Sequence, residues 1–125
     1  MRYTVLATFM ALVAYNWFMI KVAMARKQFG VKAPKTTGDD NFERIYRVHQ
    51  NTVEQLVFFL PSLWLFGTYV SDEFAGLIGL GWTGARVLYA ADYYANAAKR
   101  GPGAMLSWLA ACVLLIGGTI GAVLR

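Results

Sequence analysis

The sequence predicts an all-α membrane protein, built as a single four-transmembrane-helix bundle over residues 1–125. The first observation is composition, because 58% of the residues are hydrophobic and only 15% are charged, whereas soluble domains carry about 25% charged residues. The second is segmentation into four apolar stretches, at about 4–25, 52–70, 74–91 and 103–124. Each approaches the ~20 residues that cross a ~30 Å hydrocarbon core. The short alternating strands of a membrane barrel are not seen.

The first helix is predicted over residues 3–29, and it leaves the membrane near Lys21. A cleavable signal peptide is the rival interpretation, because Arg2 and an apolar run precede Ala23-Met24-Ala25. However, the apolar run exceeds the usual length, and Lys21 falls inside the supposed cleavage region. The segment 30–40 contains Pro34 and Gly38 and is predicted to be a loop.

The second helix is predicted over residues 41–69, with a cap from Asp39, Asp40 or Asn41. Its uninterrupted apolar part, 56–70, has 15 residues and therefore covers only about 22 Å. This length is short of the hydrocarbon thickness. We therefore expect Glu54 and Asn51 to lie at or below the membrane interface.

The third helix is predicted over residues 72–98 and the fourth over 103–124. Arg86 lies about 18 Å beyond Phe74 along the helix, so we expect it to face protein, with a carboxylate such as Glu54 as counter-charge. The turn at 99–103 is expected to use a positive φ at glycine, with Pro102 stopping the helix. The Gly117–Gly121 spacing predicts a close helix contact, within a subunit or between subunits.

The net charge of +5 is explained by where the cations lie. They concentrate in the first and third connections, whereas the second connection, Ser71-Asp72-Glu73, is acidic and short. The positive-inside rule then places the first and third connections in the cytoplasm, and no separate domain for nucleic acid remains. Cys112 is expected to be a packing residue, and no metal site is expected because no zinc-ligand pattern surrounds His49.

Two polar stripes mark the predicted bundle. Arg47, Asn51 and Glu54 share one helical face at spacings of 4 and 3. A membrane anchor explains Arg47 but explains the membrane-level carboxylate of Glu54 poorly. A site for a zwitterionic or anionic ligand and a structural ion-pair network explain this stripe equally well. His49 is offset from the stripe, which favours a hydrogen-bonding role over a catalytic one.

The second stripe comprises Arg86, Tyr89, Tyr93 and Arg100, at spacings of 3, 4 and 7. The tyrosines alone would suit an interfacial aromatic belt, but belt residues need not keep a helical register with two arginines. Phenol and guanidinium groups are donors that suit carboxylates and a thiolate. The two stripes together predict a ligand site.

Residues 42–54 resemble the signature of the MAPEG superfamily, the membrane-associated proteins in eicosanoid and glutathione metabolism. They read Phe-Glu-Arg-Ile-Tyr-Arg-Val-His-Gln-Asn-Thr-Val-Glu. The resemblance extends over nearly the whole chain, through the four spans, the basic first loop with Thr36-Thr37-Gly38, and the Arg-x-x-Tyr-x-x-x-Tyr pattern that begins at Arg86. It implies a homotrimer that binds glutathione as co-substrate, without a metal, between adjacent subunits near the cytoplasmic side.

The resemblance also implies roles for single residues. Arg47 would hold a glutathione carboxylate, Asn51 would hydrogen-bond the peptide, and Glu54 would take the γ-glutamyl ammonium. Tyr89 and Tyr93 would line the site from the neighbouring subunit. The other residues assigned to glutathione binding are Arg26, His49 and Arg86. Arg100 would be catalytic, lying beside the sulfur and favouring its thiolate.

The implied activity is that of a glutathione transferase in a bacterial inner membrane. It would act on hydrophobic electrophiles that enter from the membrane lipids, and it would also serve as a peroxidase for lipid hydroperoxides. Gln55 departs from the tyrosine that leukotriene-C synthases have after the glutamate. One alternative is a non-catalytic lipid-binding member of the same fold. A small multidrug transporter is less favoured, because its carboxylate is expected in the first helix, which has none.

Overall fold

The computed structural model describes all residues 1–125 and consists of four helices without a strand, which confirms the predicted all-helical fold. The helices are α1 (Arg2–Phe29), α2 (Asp40–Tyr69), α3 (Asp72–Ala95) and α4 (Gly101–Val123). A short 3-10 helix, Ala97–Arg100, joins α3 to α4. Around the bundle α1 packs on α2, α2 on α4, α4 on α3 and α3 on α1, while α2 and α3 also touch across the diagonal.

The loop between α1 and α2 begins and ends with local signals. Gly30 terminates α1 in the left-handed conformation, with φ 68°, and its N–H donates to the Arg26 carbonyl. Glycine tolerates this conformation because it has no Cβ. Asp39 caps α2, since its carboxylate accepts a hydrogen bond of 3.0 Å from the Phe42 N–H. The structure thus selects Asp39 from the three candidate caps.

The connection between α3 and α4 differs from the prediction. Helix α3 ends at Ala95, and Asn96 caps the 3-10 helix by accepting a hydrogen bond from Ala98. Gly101 has a φ of −58°, so the expected positive φ was wrong. Pro102 lies in the first turn of α4 and begins that helix instead of stopping α3. A proline is favourable there because its missing N–H has no helical partner in the first turn.

The core lies at the centre of the bundle, where the rings of Phe59 and Trp82 stack 4.0 Å apart. Small residues such as Ala7 and Ala111 let α1 and α4 approach this pair. Large apolar side chains also point outward, for example Phe9 at 62% and Ile116 at 60% exposure. Exposed apolar surface of this extent is typical of membrane or protein contact.

Two segments, Arg2–Phe29 and Ala97–Val123, are each long and apolar enough to cross a membrane. The other two helices are long enough, with 30 and 24 residues, but they are not apolar and uncharged enough to be counted with these two. Both carry the polar residues of the predicted site, such as Glu54 and Arg86. Membrane crossing by all four helices therefore stays a prediction.

The glycines of α4 serve contacts within the chain. A Cβ added at Gly118 would lie 2.7 Å from the Phe66 nitrogen, and one at Gly121 would lie 3.0 Å from the Tyr69 carbonyl oxygen. Real Cβ atoms essentially never come as close as the first distance. Of the two possibilities for the Gly117–Gly121 spacing, the structure shows the contact within the subunit, between α4 and the end of α2.

Asp72 joins the start of α3 to the first turn of α1. Its carboxylate accepts hydrogen bonds from the Thr4 hydroxyl at 2.7 Å, the Thr4 N–H at 2.8 Å and the Tyr3 N–H at 3.1 Å. Desolvation opposes ionisation of this group, but the hydrogen bonds from Thr4 and Tyr3 outweigh it and lower the pKa of Asp72 to about 2. The carboxylate therefore satisfies N–H groups that the helix itself leaves free.

We predict that Asp72→Asn lowers the melting temperature of the detergent-purified protein at neutral pH. The folded-state pKa lies below the ordinary value of 3.8, so the stabilisation is complete above that pH and is lost as the pH falls toward about 2. The difference in melting temperature between Asp72→Asn and wild type should therefore shrink as the pH falls from 3.8 toward about 2. Glu73→Gln is the matched control, because Glu73 is exposed. A difference that stays constant down to the lowest pH would contradict this prediction.

Candidate functional site

A buried arginine occupies the centre of the polar site. Arg86 on α3 is only 1% exposed, and its guanidinium donates hydrogen bonds to three neutral oxygens. These are Asn51 Oδ1 at 2.7 Å, Thr52 Oγ1 at 3.0 Å and Ser107 Oγ at 3.2 Å. The guanidinium carbon also lies 4.2 Å from the centroid of the Tyr89 ring, a cation–π distance. Arg86 therefore ties α2 and α4 to α3.

The expected counter-charge for Arg86 was wrong. No carboxylate lies within 4.0 Å of its guanidinium, and Glu54 is exposed. The reason is helical geometry: at about 100° per residue, Thr52 lies about 160° around α2 from Glu54. Because Thr52 faces Arg86, Glu54 must point away from the bundle. Arg47 is seven residues from Glu54 and is exposed on the same outer face.

The aromatic part of the second stripe stays together at the end of α3. The rings of Tyr89 and Tyr93 meet edge to face, with centroids 5.5 Å apart. Arg100 is exposed and lies 5.9 Å from the Tyr93 centroid, while its guanidinium donates to the Ala97 carbonyl at 2.8 Å. The two tyrosines thus lie between two cations, the buried Arg86 over the ring of Tyr89 and the exposed Arg100 over the ring of Tyr93.

A cleft of about 300 Å³ opens beside Arg86, between α2 and α4. Asn51, Gln55 and Arg86 line one side, and the other side includes Gly101, Met105 and Trp108. Two buried polar atoms at this cleft, Gln55 Oε1 and Arg86 Nε, have no hydrogen-bond partner within the chain. Buried polar atoms are normally paired, so this cleft is suited to polar groups supplied from outside the chain.

His49 and Arg26 lie in other contacts. His49 Nε2 is 3.1 Å from the Tyr15 hydroxyl, and the two rings stack. Burial lowers the pKa of His49 below its usual 6.5, because desolvation disfavours the charged ring. Arg26 donates to the Val31 and Lys35 carbonyls of the loop between α1 and α2. No hydrogen bond joins either residue to Asn51 or Arg86.

Three residues of the candidate site were not predicted from the sequence: Thr52 and Ser107, which accept hydrogen bonds from Arg86, and Gln55, which lines the cleft. Ser107 carried a signal, because it is a lone hydroxyl in the first half of an apolar segment, where a polar group needs a partner. The signal at Thr52 and Gln55 was weaker, since both are polar residues next to the stripe of Arg47, Asn51 and Glu54 but do not lie on its helical face.

The fold and the site together define a four-helix bundle of membrane character with a cationic, tyrosine-lined polar site at one end. A family comparison agrees with this class: the model of the MAPEG family matches residues 4–120. The chain belongs to the MAPEG family, a family of integral membrane proteins. The family resemblance drawn from the sequence is thereby confirmed.

Individual relatives extend the comparison. The chain is 44% identical to the uncharacterized protein sll1147 of Synechocystis sp., over 92% of this chain and 84% of the relative. It is 36% identical to human microsomal glutathione S-transferase 2, over 85% of this chain and 72% of the relative. It is also 37% identical to bovine leukotriene C4 synthase, over 74% of this chain and 62% of that protein. The two named enzymes are thus a microsomal glutathione S-transferase and a leukotriene C4 synthase.

Proposed function

We propose that this protein is a membrane-bound glutathione transferase that conjugates the glutathione thiolate to hydrophobic electrophiles. The observation that carries the proposal is that Arg47, near the start of α2, and Tyr93 and Arg100, at the end of α3 and in the 3-10 helix, all lie at the same end of the bundle, where adjacent subunits can share one ligand. These groups match a small peptide that carries two carboxylates and a thiol. The similarity to microsomal glutathione S-transferase 2 supports the same substrate.

The protein is proposed to work as a homotrimer. In the single chain the proposed ligand-binding groups Arg47, Glu54 and Arg100 are all exposed, and the outer face of α2 combines Arg47 and Glu54 with apolar Val57, which is 75% exposed. A neighbouring subunit on this face would bury the apolar surface and enclose the charged groups. This arrangement supports a glutathione site between subunits, with Tyr89 and Tyr93 supplied from the neighbour.

Individual residues take the following proposed roles in binding. Arg47 pairs with a glutathione carboxylate, Glu54 accepts from the γ-glutamyl ammonium, and Asn51 hydrogen-bonds the peptide. Tyr93 lines the site from the neighbouring subunit, and Tyr89, which is only 3% exposed, packs against it from behind. Arg86 supports the site from behind, because its guanidinium donates to Asn51. Arg26 and His49 are also proposed to bind glutathione, although within this chain they bond to loop carbonyls and to Tyr15.

Arg100 is proposed to be the catalytic group. A free thiol has a pKa of about 8.5, so most of it is protonated at neutral pH. A guanidinium near the sulfur favours the thiolate, and its proton leaves to solvent. The sulfur then forms a bond to the electrophilic carbon, and the leaving group departs with its electron pair. With a lipid hydroperoxide, two glutathione molecules would instead give the disulfide, the alcohol and water.

The protein is proposed to reside in a bacterial inner membrane. Its basic end, where α1 ends, α2 begins and α3 joins α4, would face the cytoplasm. The hydrophobic electrophile would reach the site from the bilayer, between helices. Turnover tests the activity: purified protein with glutathione should consume a model aryl halide, a lipid hydroperoxide or both. Glutathione binding without turnover of either would favour the non-catalytic alternative.

We predict that Arg47→Ala and Glu54→Gln each raise the KM for glutathione by roughly 10- to 100-fold and leave kcat nearly unchanged. Each variant removes a charge-assisted contact that is present both before and during the reaction. Steady-state kinetics with varied glutathione measure the effect. The control for Arg47 is Arg44→Ala, a cation on the same helix whose guanidinium is bonded to Asn41. An unchanged KM in both site variants would contradict the proposed binding roles.

A further inference from the structure

The hydrogen bond between Arg86 and Asn51 has a chemical direction. A guanidinium has five N–H donors and no acceptor, so only the Oδ1 of Asn51 can accept from it, at 2.7 Å. An amide turned by 180° would place Nδ2 against the guanidinium, donor against donor. Arg86 therefore fixes which end of the Asn51 amide faces inward.

The guanidinium is itself held in place from the far side. Ser107 accepts from it at 3.2 Å and uses its own hydroxyl hydrogen on the Ala104 carbonyl, at 3.0 Å. Thr52 accepts at 3.0 Å, and the face of Tyr89 lies against the guanidinium. With Arg86 99% covered, since it is 1% exposed, the orientation that it imposes on Asn51 is rigid.

The outward end of the same amide is free. Asn51 Nδ2 has no hydrogen-bond partner within the chain, and Asn51 is half-buried in the wall of the cleft between α2 and α4. Both Nδ2 hydrogens are donors. A ligand group that meets Asn51 must therefore offer an acceptor oxygen.

We infer that Arg86 is a positioning residue that holds Asn51 as a hydrogen-bond donor, so that Asn51 selects a carbonyl oxygen of its ligand. The inference rests on the proposed function, under which that oxygen is a peptide carbonyl of glutathione. A buried cation surrounded by neutral groups is costly, so Arg86 needs a role that offsets this cost. If Arg86 only linked α2, α3 and α4, a change in the orientation of the Asn51 amide would affect stability but not glutathione affinity. The two roles therefore predict different results.

Asn51→Asp separates the two roles. Aspartate keeps an acceptor toward Arg86 and adds a charge that pairs with the buried guanidinium, so the melting temperature should equal or exceed that of wild type. Its outward oxygen is an acceptor that faces the ligand carbonyl. Glutathione affinity, measured by calorimetry on the detergent-purified protein, should therefore fall on the order of 100-fold.

Arg86 is tested by two further variants. Arg86→Lys keeps an ammonium that only donates, so it should retain glutathione affinity within about threefold even where the lost stacking on Tyr89 lowers the melting temperature. Arg86→Gln can donate or accept and so no longer fixes the amide, and affinity should fall about tenfold through KM while kcat is kept. A melting temperature for each variant reports the structural contribution separately.

The outcomes are distinct. Wild-type protein that fails to bind glutathione would overturn the proposed function and this inference with it. Wild-type binding combined with an Asn51→Asp variant that binds equally well would overturn the inference alone. The inference alone would also be overturned if Asn51→Asp melts at a lower temperature than wild type, or if Arg86→Gln binds glutathione more tightly than Arg86→Lys.

Discussion

Replacing Arg100 with alanine is expected to abolish formation of the glutathione thiolate at neutral pH while glutathione still binds. The guanidinium is exposed and contacts only the Tyr93 ring, over which it lies at 5.9 Å, and the Ala97 carbonyl, so its loss should not disturb the fold. Each pKa unit of thiol lowering requires about 1.4 kcal/mol of differential stabilisation. We expect kcat to fall by roughly 100- to 1,000-fold, as with removal of other electrostatic groups.

The matched control for this variant is Lys99→Ala. Lys99 is the adjacent cation, is also exposed, and belongs to the same 3-10 helix. It should retain both thiolate formation and turnover. Equal losses in the two variants would show that general positive charge, and not a specific guanidinium, acts on the sulfur. Full thiolate formation in Arg100→Ala would remove Arg100 from the catalytic role.

Gly103→Ala is expected to produce the largest loss of stability. A Cβ at this position would lie 2.5 Å from the Tyr89 nitrogen and 2.6 Å from its Cα, which are backbone atoms that cannot turn aside. Helix α4 must then move away from α3, at a cost of about 3 kcal/mol. Because Ser107 is one turn further along α4, the shift should also weaken its hydrogen bond to Arg86 and reduce glutathione affinity.

Gly101→Ala provides the comparison for Gly103→Ala. Gly101 is two residues earlier, with a φ of −58° and no atom within 4 Å of an added Cβ. Alanine there should leave the thermal melting temperature in detergent nearly unchanged. If Gly103→Ala has the same melting temperature as Gly101→Ala and wild type, α3 and α4 do not pack as closely as described.

Much of the fold was accessible from the sequence because its signals are local. Gly30 ends α1 and Asp39 begins α2 through contacts with residues three or four positions away, and such contacts follow from residue type. The connection at Asn96 was not accessible in the same way. Pro102 suits both the end of one helix and the first turn of the next, and only the packing of α4 on α3 decides between them.

The candidate site was predicted in part for a similar reason. Helical spacing correctly groups Arg47 with Glu54 and Tyr89 with Tyr93, because spacing within one helix is fixed by geometry. It does not tell which face of one helix meets which face of another. The partners of Arg86 lie on other helices, 21 to 35 residues away along the chain. Spacing within one helix could not identify them, and charge alone suggested a carboxylate where the structure has three neutral oxygens.

The central claim is that this bundle binds glutathione and lowers the pKa of its thiol. The most direct test is the ultraviolet thiolate absorbance of glutathione titrated into the purified wild-type protein at neutral pH. We predict an absorbance that saturates with added glutathione and exceeds that of the same free peptide, whose thiol has a pKa of about 8.5. Absorbance no greater than that of free glutathione, up to millimolar concentrations, would contradict the account.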